Sequence, residues 1–280
     1  MLVKQTLRPY SVTLLLACSA LAATPKAHQQ FFPPQAALRQ VRSASGPVVV
    51  NSASYLPGVS PGALATVFGT NLTDVTGTVV AGTNPFPTVL ANVSVTVNGI
   101  PAPIFSVAYV NGQDQISFQV PWEADTGKAA VDVQVFDYGT QQAELLVDSF
   151  TEDPGIFGYQ KYGQLYAVAL HASDYALVTP DDPASRAEVI ILYTTGLGPV
   201  DRVVRNGFGA PADPPANTKD PFRVVIAGED ADLLFAGLAP GFVGLYQINM
   251  QLPRDLPSGD LPIKILSDYA DSQTVSLAVQ

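Results

Sequence analysis

Val93, Val95 and Val97 alternate with Ser94 and Thr96, and Asn98-Gly99 follows at once. A period of two puts one face of an extended segment in a core and the other in water. Asn-Gly is the pair that most readily takes the positive φ of a tight hairpin turn. The same pattern predicts Ile116, Phe118 and Val120 facing inward with Gln115, Ser117 and Gln119 outward, and Val131, Val133 and Val135 against Asp132 and Gln134. Further strands are predicted over 48–50, 63–69, 143–147, 166–170, 222–227, 233–236, 245–252, 261–266 and 274–279. The run EVIILY at 188–193 is apolar almost throughout, as expected of a central strand buried on both faces. No stretch sustains a 3.6-residue apolar period, so an α/β enzyme with parallel strands and crossover helices has little support.

Several parts of this pattern repeat. Phe68-Gly69-Thr70-Asn71-Leu72 aligns with Tyr193-Thr194-Thr195-Gly196-Leu197, and Val97-Asn98-Gly99 with Ile226-Ala227-Gly228. Gln115-Ile116-Ser117-Phe118-Gln119-Val120-Pro121 aligns with Gln247-Ile248-Asn249-Met250-Gln251-Leu252-Pro253, and Gly127 and Gly259 each lie six residues past the proline. Strand order and turn positions coincide, so the chain states one β unit twice. Each unit has the hundred-odd residues of an immunoglobulin-like sandwich. The predicted fold is all-β: two tandem immunoglobulin-like β-sandwiches at 48–152 and 153–280, joined at Asp153-Pro154-Gly155.

The N-terminus supplies the expected compartment. Lys4 and Arg8 precede an apolar run at 12–23 that ends in Ala20-Leu21-Ala22, which reads as a secretory signal peptide over 1–23. Residues 24–47 mix Pro, Gln and Ser without periodicity and read as a flexible lead. The 12–23 run is too short to span a bilayer, and no later apolar run reaches the required length. Cys18, the only cysteine, has two readings. It is a small residue of the cleaved leader, or, as Leu15-Leu16-Ala17-Cys18 resembles a lipobox, a lipid anchor. The first is favoured because Ser19–Ala23 continues apolar and carries its own cleavage site. A net charge of −10 with no basic stripe argues against nucleic acid.

Candidate chemistry is sparse. The two histidines are His28 and His171, and no nucleophile elbow accompanies His171. One cysteine and two histidines cannot make a zinc cluster of usual spacing, and no cofactor is expected. Asp181-Asp182 and Glu229-Asp230-Ala231-Asp232 are oxygen-rich but lack the spacing of a calcium loop and read as solvated turns. Glu123 with Asp125 is the carboxylate pair that a secreted glycosidase or esterase would use, the alternative to a non-catalytic protein. Trp122, the single tryptophan, is either an aromatic platform for a sugar ring, helped by Tyr109, Tyr138 or Tyr55, or a plug over the end of the first sandwich core.

The motifs resemble those of the Solibacter-type uncharacterised C-terminal domain of secreted acidobacterial proteins. The likeness runs through Asn51-Ser52-Ala53-Ser54-Tyr55, Pro61-Gly62, Phe68–Leu72, Val97–Ala102, Gln115–Trp122, Pro154–Phe157, Tyr193–Val200 and Leu234–Pro253. Asp230 stands where those relatives tend to have proline. Each half is similar to IPT/TIG-type immunoglobulin-like domains, which are mostly non-catalytic. The resemblance implies an exported module without catalytic residues to carry over. Together with the composition it leads to the expectation of a binding or structural role outside the cell, with a polysaccharide or a cell-surface protein as partner.

Overall fold

The computed structural model describes residues 47–136 and 143–280. The expected leader, the lead, Cys18, His28 and Tyr138 lie outside the described residues. The first half holds β1 (Val48–Asn51), β2 (Leu64–Gly69), β3 (Thr78–Val80), β4 (Val89–Leu90), β5 (Val93–Val97), β6 (Ile100–Ala102), β7 (Ile104–Val110), β8 (Gln113–Gln119), β9 (Gly127–Val135) and β10 (Ala143–Ser149). The second holds β11 (Gly155–Ile156), β12 (Gly158–Lys161), β13 (Gln164–Ala167), β14 (Ala169–His171), β15 (Val189–Thr195), β16 (Phe222–Ile226), β17 (Glu229–Asp230), β18 (Asp232–Leu238), β19 (Tyr246–Gln251), β20 (Gly259–Ser267) and β21 (Val275–Val279). No α-helix occurs among the described residues.

In the first half, sheet β1-β2-β8-β7-β3 packs on sheet β10-β9-β5-β4, with β6 also paired to β5. The second half repeats this as β11-β15-β19-β18 and β21-β20-β16-β17, with the β12-β13 hairpin added beside β21. Both are the A-B-E-D and G-F-C-C′ orders of an immunoglobulin-like sandwich. Val59 bridges Ser149 in parallel and Ala184 bridges Val279 in parallel, so in each half the chain leaves its first strand and crosses to touch the last.

The sequence repeat is a repeat of register. Phe68, Val67 and Thr66 lie opposite Gln115, Ile116 and Ser117, while their counterparts Tyr193, Leu192 and Ile191 lie opposite Gln247, Ile248 and Asn249. The alternating valines do what their spacing predicts: Val93, Val95, Val97, Val131, Val133, Ile116 and Phe118 are buried in the first core. The second core is built from Ile190, Leu192, Ile226, Ile248, Met250, Ile263 and their neighbours. Burying each such side chain contributes about 1.5–3 kcal/mol. The other face of β15 is covered too, because the segment from Phe157 to Leu177 folds over it and places Tyr159, Tyr166 and Leu170 on Ile191 and Tyr193.

One position expected in water is buried. Gln119, expected to point to solvent, is 1% exposed. Its strand alternates as the pattern requires, but the second half lies over the outward side and removes it from water.

Candidate functional site

A set of polar contacts, two of them fully buried, joins the two halves. The loop 205–209, from the long Pro-rich connection before β16, is held by the first half at Asn206, Gly207 and Gly209. Phe86 N donates to the Gly207 carbonyl at 2.8 Å, and Gly207 N donates to Gln119 Oε1 at 2.7 Å. Gln119 Nε2 in turn donates to Gly62 O at 3.2 Å, so the buried amide has a partner at each end. Trp122 N donates to Asn206 Oδ1 at 2.9 Å, Asn206 Nδ2 donates to Glu123 Oε2 at 2.6 Å, and Gly209 N donates to Asn84 Oδ1 at 3.0 Å.

A second seam lies at the joint. Asn51, 1% exposed, donates from Nδ2 to the Asp153 carbonyl at 2.6 Å and accepts Ala53 N at 2.8 Å and Ser54 N at 3.2 Å. Burial pushes the Asp153 carboxyl up to about 6, against the lowering effect of its bond from Asn51. A Cβ on Gly155 would meet Asn51 Oδ1 at 2.4 Å, and one on Gly196 would meet the Asp153 carbonyl at 2.0 Å. The Asn51–Tyr55 motif is therefore a backbone clasp. Thr195 Oγ1 accepts Leu64 N at 2.9 Å and donates to Gly244 O at 2.8 Å, tying the strand starts together.

Trp122 belongs to this junction. Its ring lies over Gly62, where an added Cβ would fall 2.2 Å from it, and it packs against the core cluster of the second half. The expected plug on the first core is thus a wedge toward the second; its Nε1 is buried without a hydrogen-bond partner. Tyr55 takes φ 57 and packs its ring on Phe68 at 6.2 Å between centroids. Burial pushes its phenol above the ordinary tyrosine range.

Tyr109 stands apart from both. Its side chain is 48% exposed and lines a depression of about 350 Å³ with Thr70, Asn71, Thr73, Asp74, Val75, Thr76, Gly112 and Asp114. The floor is stiff because Asp114, 4% exposed, accepts Leu72 N at 2.7 Å. Burial raises the Asp114 carboxyl, while the amides of Leu72, Thr73 and Asn71 pull it back. The equivalent position in the second half is Tyr246, whose hydroxyl donates to the Gly198 carbonyl. Either side chain holds the loop after the second strand of its sandwich, one as acceptor and the other as donor. In sequence, Asp114 carries no signal beyond an acid interrupting an apolar alternation; the loop it organises becomes visible only when 70–76 and 109–114 meet.

Several of the groups considered for catalysis or for calcium have other partners. His171 Nδ1 bonds Glu188 Oε1 at 2.6 Å, and its Nε2 lies 3.3 Å from the Asp182 carbonyl. Glu188 Oε2 accepts Ser185 N at 2.7 Å. Asp181 accepts Lys161 Nζ at 2.7 Å and Tyr162 OH at 3.0 Å, and Asp230 accepts Arg223 at 3.1 Å. Glu123 is engaged by Asn206. No cluster of three or more His, Cys, Asp or Glu poised for a metal occurs among the described residues, nor is any helix among them long and apolar enough to cross a membrane.

No family model matches the chain, and no curated protein matches it. Among solved structures it finds weak likenesses. A Bacteroides ovatus SGBP-B from a mixed-linkage glucan utilization locus, in complex with a mixed-linkage heptasaccharide, is 12% identical over 79% of this chain, with TM-score 0.30. This chain spans 43% of that one, less than half its length. Domains 5–6 of the S-layer protein SbsC are 13% identical over 85% of this chain and 94% of their own, with TM-score 0.25. The tandem Ig repeats of Dlar are 12% identical over 85% and 99%, with TM-score 0.20. All three are distant in sequence and low in TM-score.

Proposed function

We propose that this chain is a non-catalytic tandem immunoglobulin-like protein that works by binding at the cell exterior, and that the depression beside Tyr109 is its contact for a carbohydrate chain. The observation that carries this is the company Tyr109 keeps: a half-exposed ring beside three threonines, an asparagine and an exposed aspartate. The C–H face of a sugar ring stacks on an aromatic ring, and its hydroxyls match short polar side chains held by a stiff loop. The hydrolase reading has less to stand on, since Glu123 is tied to Asn206. Export rests on the N-terminal leader pattern.

A glycan array with purified protein tests the proposal. Binding to a polysaccharide class is expected, and Tyr109→Ala should lower it at least about tenfold, equivalent to about 1.4 kcal/mol, with an unchanged melting temperature. Binding that survives Tyr109→Ala would sink the assignment of the site. Turnover of a glycoside or ester that disappears in Glu123→Gln or Asp125→Asn would sink the non-catalytic reading altogether.

A further inference from the structure

Charge is distributed unevenly along this acidic chain. Between Ser43 and Gln113 the only ionisable acid or base among Asp, Glu, Lys, Arg and His is Asp74, and residues 75–113 carry none. That stretch contains β3, the last strand of its sheet. All three residues of β3 are exposed, with Val79 at 37% and Val80 at 43%, and Phe105 and Tyr109 of the adjoining β7 are exposed at 41% and 48%. Phe105 projects at a bulge in β7 and packs its ring 5.6 Å from Phe86.

An open sheet edge is normally blunted by a lysine, a proline or a covering segment. The second half follows that rule. There the segment 216–218 lies along β18, the counterpart of β7, through Thr218 N to Ala236 O at 3.0 Å and Leu238 N to Ala216 O at 2.9 Å, and the chain covers that segment in turn, through Asp201 N to Asn217 O at 2.8 Å and Lys219 N to Pro199 O at 3.0 Å. β3 carries no charge, and no segment among the described residues covers it. Its backbone is set for a partner: Tyr109 N bonds Gly77 O and Ala81 N bonds Phe105 O. By alternation, Gly77, Val79 and Ala81 turn their N–H and C=O toward β7, and Thr78 and Val80 turn theirs outward.

We propose that β3 is a self-association edge, at which two copies of this chain pair antiparallel about a two-fold axis beside Val79. In that register Thr78 of one copy faces Val80 of the other, and the outward N–H and C=O groups of each residue find partners, the self-complementary contact of an isologous dimer. The charge pattern selects a second copy as the occupant. Each chain carries a net charge of −10, so like copies repel through most approaches, and this face lets them meet without burying or opposing charges. The pairing would set two Tyr109 depressions close to one another, but it does not depend on what those depressions bind.

Sedimentation equilibrium on the purified protein tests this. The mass is expected to rise from one chain toward two with concentration. Val80→Pro removes only an outward-facing N–H and Val80→Lys adds a charge to the edge; both should remain monomeric with unchanged melting temperatures. Should Val80→Pro disturb the fold, Val80→Lys decides. A wild-type protein that stays monomeric, a dimer that persists in Val80→Lys, or a dimer lost on removing residues 24–46 but kept in the Val80 variants would each overturn the proposal. Loss of glycan binding in Tyr109→Ala with the dimer intact, or the reverse in Val80→Lys, separates this inference from the binding reading.

Discussion

Asn98 and Ala227 hold the same turn position in the two halves, both at φ 51, and each is followed by a glycine at positive φ. The turn survives the change of residue, and Asp230 after it pairs with Arg223 without altering its geometry. An alanine in the left-handed region is strained, whereas asparagine is tolerated there. Ala227 is exposed, so Ala227→Asn should raise stability by about 0.5–1 kcal/mol in thermal melts. His171 has the opposite character, a buried residue whose state depends on pH. Burial is the largest single influence and lowers its pKa, but the hydrogen bond and charge of Glu188, with Asp182 behind, outweigh it and hold the imidazole above 6.5. A folded pKa above the unfolded one means stability that is complete below pH 6.5 and fades as the pH climbs through the folded value. His171→Gln should flatten that part of the stability profile measured by melts at successive pH values.

At the level of elements, the Gly62 turn and the Trp122 ring form one device, since no side chain fits at position 62 while the indole is in place. Trp122→Ala should cost about 3 kcal/mol, read by chemical denaturation, because it empties the space between turn and core. Trp122→Phe should recover most of it, as it keeps an aromatic body and deletes an N–H that has no partner. Glycan binding that vanished in Trp122→Phe with stability intact would return the tryptophan to the ligand site.

For the whole molecule, the hydrogen bonds from loop 205–209 and the Asn51 clasp couple two sandwiches that each have their own core. Coupled halves should melt as one unit. Gly207 takes φ 78, and an added Cβ would lie 3.0 Å from the Phe86 carbonyl, so Gly207→Val should undock the loop. Calorimetry is expected to show a single transition in the wild type and two in the variant. Two transitions already present in the wild type would mean that the seam adds little to the cooperativity of folding.

The sandwich architecture, its duplication and the buried face of the alternating strands were legible along the chain. Alternation selects the buried face locally, and a one-residue slip would turn every valine of 93–97 or 131–135 to water. The burial of EVIILY on both faces was legible for the same reason. Tertiary structure alone decided what depends on contacts between residues far apart in the chain. Gln119 looks like a solvent-facing residue until Gly207 covers it, Trp122 looks like a cap on its own sandwich until the second half receives it, and Asp114 acquires a role only once the loop at 71–73 is brought to it. Periodicity reports which side of a strand is apolar. What covers the other side depends on chain closure over many tens of residues, and that leaves no periodic trace.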